Sequence, residues 1–123
     1  MSRKLDDLDP AFRPLAVEFL ARLTEARIPV VITCTLRTAE EQQEAVSKGV
    51  SWTMHSRHLS GKAIDVCPYK TYVLHGMNSL QWDERDPVWT RIGAIGQACG
   101  LKWGVVKDGK QVDPGHFEMM EGR

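Results

Sequence analysis

The sequence has no long apolar run: nothing in its 123 residues approaches the roughly 20 apolar residues that a membrane-spanning helix needs. It has no excess charge of either sign, 16 basic residues balancing 16 acidic ones. That removes the basic surface on which nucleic-acid affinity rests, and any broad attraction to anionic membranes. Its three cysteines, Cys34, Cys67 and Cys99, are an odd number without Cys-x-x-Cys spacing, which excludes a disulfide framework and a zinc ribbon. Cys34 and Cys99 read instead as small buried apolar side chains. Met1 to Pro10 is polar and charged, so no secretory signal is expected and the chain is expected to be made in the cytoplasm. There is no internal repeat and no low-complexity segment.

What is present is the composition of a folded globule, 42% hydrophobic and 26% charged. The length suits one domain over residues 1–123 and leaves little room for a second. A first helix is expected from Pro10 to Arg27, capped by Asp9, with Phe12, Leu15, Phe19, Leu20 and Leu23 on one face. The β-branched run Val30 to Thr35 reads as a buried strand. Thr38 and Glu41 form a capping box that opens a second helix, and Gly49 marks its end. Ser51 to Gly61 reads as a loop, and Lys62 to Cys67 as a strand with Ala63, Asp65 and Cys67 on one face. Pro68 to Arg85 is irregular, with Gly76 and Asn78 as turn signals, and suggests a surface loop with a function. A third helix is expected from Pro87 to Cys99, capped by Asp86, ended by Gly100 and apolar along Val88, Ile92 and Ile95. Leu101 to Val106 reads as a short strand, Asp108-Gly109 as a hairpin turn, and Gln111 to Met119 as the returning strand. These elements predict an α+β fold with a small, mainly antiparallel sheet and about three helices packed around it.

Two segments stand out chemically: Ser56-Arg57-His58-Leu59-Ser60-Gly61-Lys62-Ala63-Ile64-Asp65 and Asp113-Pro114-Gly115-His116-Phe117-Glu118. A catalytic zinc takes three nitrogen or oxygen ligands and keeps a fourth position open. Gly61 permits a tight turn between His58 and Asp65, so both can face one ion, and His116 on a neighbouring strand can complete the set. Asp113 lies three residues before His116, an odd offset that strand alternation would turn away. The turn dipeptide Pro114-Gly115 breaks that alternation, so Asp113 can act as a general base on the attacking water.

The first segment matches the SxHxxGxAxD pattern of the D-Ala-D-Ala carboxypeptidase and VanY-type metallopeptidases through Ser56, His58, Gly61, Ala63 and Asp65. The second resembles that family's closing motif, an acid three residues before a histidine, here Asp113 and His116, followed by Phe-Glu. Leu36-Arg37-Thr38 with Glu41-Gln42 is similar to its arginine-bearing segment. One departure is Gly115, where close relatives usually place proline directly before the histidine.

The resemblance implies a hedgehog/D-Ala-D-Ala peptidase-like fold. It implies a Zn2+ ion on His58, Asp65 and His116, and Asp113 as catalytic base. Arg37 would bind a substrate carboxylate or stabilise the oxyanion, and Ser56 would support the site or touch substrate. The size is similar to that of the single-domain phage endolysins, peptidoglycan hydrolases that cut the L-Ala–D-Glu bond of the wall peptide and lyse the host. Such an enzyme would be a monomer with no separate wall-binding domain, acting on bacterial peptidoglycan without inserting into the membrane. It would depend on a membrane-permeabilising phage protein to reach the wall from the host cytoplasm. A D-Ala-D-Ala carboxypeptidase and a catalytically silent zinc-binding module of the same fold are the competing readings.

For single residues the bland alternatives are concrete. Arg37 could pair with Glu40 or Glu41, Ser56 could bond only backbone, and Asp113 could merely stabilise its turn. His55 mimics a ligand pair with His58, and His75 reads as a loop residue. Cys67 and the tryptophans Trp82, Trp89 and Trp103 either line the site or fill the core, with burial the default. Glu118 is a candidate to orient His116.

Overall fold

The computed structural model describes residues 1–49, 51, 54, 56–70 and 79–120. His55, His75 and the turn signals Gly76 and Asn78 lie outside the described residues.

Helix α1 (Arg13–Glu25) is shorter than its periodicity suggests. Pro10 sits in a preceding turn rather than at the first helical position, and Pro14 takes the first-turn place where its missing N–H does no harm. Asp9 caps that turn, its Oδ2 accepting from the Ala11 N–H at 2.9 Å. Strand β1 (Val30–Cys34) follows, then α2 (Ala39–Ser47). The expected capping box holds: Thr38 Oγ1 accepts from Glu41 N–H, and Glu41 Oε1 accepts from Thr38 N–H. The segment read as a plain loop contains a short 3-10 turn, Arg57–Ser60, that leads into β2 (Ala63–Pro68). Helix α3 (Val88–Ala98) starts on Asp86, whose Oδ1 accepts from Val88 N–H at 2.9 Å.

The C-terminal part is more divided than the sequence suggests. Strand β3 (Leu101–Trp103) stops at Gly104, whose φ of 58° turns the chain out of the sheet. Strands β4 (Val106–Lys107) and β5 (Lys110–Gln111) form a separate ribbon around Asp108 and Gly109, both at positive φ. Only β6 (His116–Met119) rejoins the main sheet. The cause is local: two adjacent left-handed residues make the tight hairpin, and Pro114-Gly115 resets the alternation before β6.

The main sheet is antiparallel with strand order β1-β2-β6-β3. Three helices and this four-stranded sheet give the expected α+β architecture. The core joins α1 and α3 to one sheet face, through Phe12, Phe19, Leu23, Ile92, Ile64 and Phe117. The Phe19 and Phe117 rings stand 4.5 Å apart. Helix α3 comes close because Gly96 carries no side chain: a Cβ there would lie 2.4 Å from the Phe117 ring. Among the described residues no helix is long and apolar enough to cross a membrane.

Candidate metal centre and active site

The site is built by cross-strand register. Asp65 on β2 is opposite His116 on β6 and Cys34 on β1, so three polar or thiol side chains form a row across three strands. The neighbours Ile64, Val66 and Phe117 point the other way into the core. His58 enters from the 3-10 turn. Ser56 Oγ accepts from the His58 N–H at 3.2 Å and so caps that turn. Gly61 closes it at a φ of 69°, packed so tightly that a Cβ would lie 2.8 Å from the Asp9 nitrogen.

The structure brings His58, Asp65 and His116 together. Asp65 Oδ1 lies 3.0 Å from His58 Nε2 and 2.9 Å from His116 Nδ1, and the two imidazoles stand 5.1 Å apart. His58 Nδ1 donates to the Thr35 carbonyl at 2.9 Å, which leaves Nε2 as the nitrogen free to bind a cation. Nε2 is buried and finds no hydrogen bond; its contact with Asp65 has the distance of an ion pair but not the alignment of a hydrogen bond. On the far side of the row, His116 Nε2 lies 2.9 Å from Glu118 Oε1, so Glu118 does orient His116. Two imidazole nitrogens aimed at one carboxylate oxygen repel it unless a proton or a cation lies between them. The donor set therefore fits a metal ion. Among the described residues, the group whose ligand atoms all lie within 4.8 Å of one another is Cys34, His58 and Asp65, which could hold a metal; the expected ligand His116 is not in that group.

Without a metal, Asp65 draws positive charge onto both rings. Burial alone would lower the His58 imidazole, but Asp65 and Cys34 beside it push it up to about 10. Burial likewise opposes the charge on His116, yet Asp65 and Glu118 push it up to about 9. Burial would raise Asp65, but the two histidines hold its carboxyl well below the usual carboxylate range. Asp113 behaves oppositely: burial first, then repulsion from Asp65, raise its carboxyl. It shares with Asp65 a cavity of about 200 Å³ walled by Trp82, Glu84 and Trp89.

The remaining expected residues separate. Arg37 is half-buried and does not line this cavity; its Nη1 donates to Gln42 Oε1 at 2.8 Å, while its backbone N–H donates to the His58 carbonyl at 3.0 Å. The alternative partner Glu41 is instead engaged in the helix cap and with the Met1 amino group. Cys67 does not line this cavity: it is buried, with its Sγ near the Pro68 and Gln81 carbonyls, and burial pushes the thiol up to about 11. Trp103 belongs to the core edge, its Nε1 donating to the Pro114 carbonyl at 2.8 Å. Sequence reasoning missed Cys34 and Glu84. Cys34 sits at the end of a β-branched run and looks apolar; only the β1–β2 register puts it beside Asp65.

Fold and site thus define an α+β protein with a buried His-Asp-His cluster beside an acidic cavity. The family model for phage L-alanyl-D-glutamate peptidases matches residues 2–120, and the chain belongs to that family. The L-alanyl-D-glutamate peptidase of Listeria phage A118 is 33% identical over 78 residues, 63% of this chain and 26% of that protein. The match therefore spans about a quarter of that relative's length. The crystal structure of the Serratia marcescens L-Ala D-Glu endopeptidase ChiX superposes with a TM-score of 0.69 at 24% identity, covering 94% of this chain and 83% of that one. It shares the fold.

Proposed function

We propose that this chain is a zinc-dependent peptidase that hydrolyses the L-Ala–D-Glu bond of peptidoglycan stem peptides, the activity named for its family and for its relatives. The observation that carries this reading is the convergence of His58 Nε2 and His116 Nδ1 on Asp65 Oδ1 beside Asp113. Two ligand atoms on a tetrahedral zinc stand about 3.3 Å apart, and the His58 and His116 nitrogens lie 3.0 and 2.9 Å from Asp65 Oδ1, so each histidine–aspartate pair has a spacing near that of two ligands on one ion. His58, Asp65 and His116 are the ligands in this reading. His116 is preferred to Cys34 because Cys34 Sγ approaches His58 on its Nδ1 side, at 3.5 Å, and that nitrogen already donates to Thr35. Zinc, when bound, supplies Lewis acidity for polarising a carbonyl and activating water.

The protein's own groups do the rest. Asp113 takes the proton of the attacking water and returns it to the leaving amine; its raised carboxyl suits a group that must hold that proton briefly. Ser56 holds the His58 backbone and the Thr35 carbonyl fixes the His58 ring. Arg37, tied to the His58 backbone and steadied by Gln42, is a carboxylate-binding residue at the site's edge.

The test is digestion of purified peptidoglycan with and without a zinc chelator, with mass spectrometry of the fragments and metal analysis of the protein. Chelator-sensitive release of peptides with a new N-terminal D-Glu is the expected result. Release of terminal D-Ala alone would make the enzyme a carboxypeptidase. Zinc bound without any cleavage would reduce it to a binding module.

A further inference from the structure

The cavity beside the cluster has a wall that the hydrolytic chemistry leaves unused. The segment from Gln81 to Asp86 is pinned at alternate residues. Gln81 Oε1 accepts from the Asp83 N–H at 3.0 Å, and Gln81 Nε2 donates to Asp86 Oδ2 at 3.2 Å. The Asp83 carbonyl accepts from Trp89 Nε1 at 3.0 Å, and the Asp83 carboxylate is taken by Arg85 at 3.0 and 3.1 Å. Between these anchors, Trp82 and Glu84 both line the cavity, and neither side chain has a partner among the described residues. Trp82 leaves 59% of its surface to water. The segment held by these hydrogen bonds thus presents an indole and a carboxylate, unpaired among the described residues, toward the cavity.

The cavity's charge is one-sided. Asp65, Glu84 and Asp113 line it, and among the described residues no lysine or arginine does. Asp65 is neutralised by its two histidines, and the one arginine on the segment is spent on Asp83. Trp82 and Glu84 line the same cavity, and an aromatic ring beside a carboxylate is the pairing that recognises an ammonium group.

We infer that Trp82 and Glu84 form a subsite for an ammonium group of the substrate, so that the enzyme selects stem peptides bearing a free side-chain amine near the scissile bond. This inference rests on the peptidase reading above. It concerns which peptide is taken, whereas that reading concerns whether and where it is cut.

The test uses two matched short stem peptides containing the L-Ala–D-Glu bond and a diamino acid, with the side-chain amine free in one and acetylated in the other. With zinc-loaded protein, kcat/KM should favour the free amine about tenfold. Glu84→Gln should bring that ratio close to one through KM, and Trp82→Ala should raise KM for the free-amine peptide. Both side chains face solvent at the cavity rim, so both variants should fold. Calorimetric binding of the same peptides provides a readout independent of turnover. Equal cleavage of both peptides, or a preference that survives Glu84→Gln, overturns the subsite while leaving hydrolysis intact. Tighter binding of the free amine that is lost in Glu84→Gln, with neither peptide cut, supports the subsite and sinks the peptidase reading. No difference in binding and no cleavage overturns both.

Discussion

The two faces of strands β2 and β6 make opposite uses of the same backbone. On one face Ile64, Val66, Phe117 and Met119 disappear under α1 and α3. On the other face Asp65, His116 and Glu118 are chained by contacts of 2.9 Å. The core face gains by removing apolar surface from water, a non-directional effect that tolerates exchange of similar volumes. The site face holds buried charged groups whose arrangement is favourable only when each has its partner. Stability therefore lives mainly on one face and chemistry on the other, with a period of one residue separating them.

That contrast can be broken from either side. The largest expected effect is on chemistry: Asp113→Ala should lower kcat by about 10²–10⁴-fold while zinc content stays at one per chain. Near-native turnover in that variant would remove Asp113 from the reaction. On the core face, Phe117→Ala should destabilise the protein by about 3–5 kcal/mol in denaturant unfolding, because Phe117 is fully buried against Phe19 and Gly96. A loss below about 1 kcal/mol would mean that α3 is not held to the sheet through this ring.

Glu118→Gln sharpens the comparison, since Glu118 lies on the site face but outside the three proposed ligands. It should weaken zinc affinity by about 10–100-fold, measured by chelator competition, and lower the melting temperature of the metal-free protein at neutral pH, because the charged His116 loses a partner there. Unchanged affinity would make the His116–Glu118 contact ornamental to the metal.

The smallest effect concerns pH. Asp113 is raised by burial and by Asp65, so on raising the pH the unfolded chain releases its proton before the folded chain does. In that window the folded state binds more protons, and stability falls as pH rises. Metal-free Asp113→Asn should therefore match the parent at acid pH and melt higher above the ordinary carboxylate range. A variant that melts lower at neutral pH would show that the Asp113 carboxylate is stabilised in the fold rather than strained by it.

Much of this arrangement was legible because it is local. The Thr38–Glu41 box, the Asp108-Gly109 hairpin and the apolar stripe of α1 depend on residues within one or two turns of each other, and all three are present. Pro10 misled because two prolines compete for the helix start, and Pro14 occupies it once the Asp9 turn has formed. The single returning strand expected from Gln111 to Met119 became two pieces because a ribbon and a turn intervene, and both are specified by short-range geometry that hydrophobic alternation does not register.

At the site, the motif spacing singled out His58, Asp65, Asp113 and His116; His58 and His116 meet at the Asp65 carboxylate, and Asp113 lines the cavity beside it. Short turns set that spacing, and Gly61 and Gly115 are visible marks of those turns. Gly115 also shows why this chain departs from a proline there. A Cβ at that position would lie 2.4 Å from the carbonyl oxygen of Val66, and the Val66 N–H donates to the Gly115 carbonyl.

By itself, then, the amino-acid order determined the secondary elements, the inward and outward alternation of β2 and β6, and the residue types able to hold a metal. The tertiary structure decided which strands are neighbours. That pairing placed Cys34 beside Asp65, turned Arg37 toward Gln42 and set Trp82 and Glu84 against the Asp113 cavity. The reason is physical: propensity and alternation act over a few residues, whereas register is chosen by burying the apolar faces of distant segments against each other.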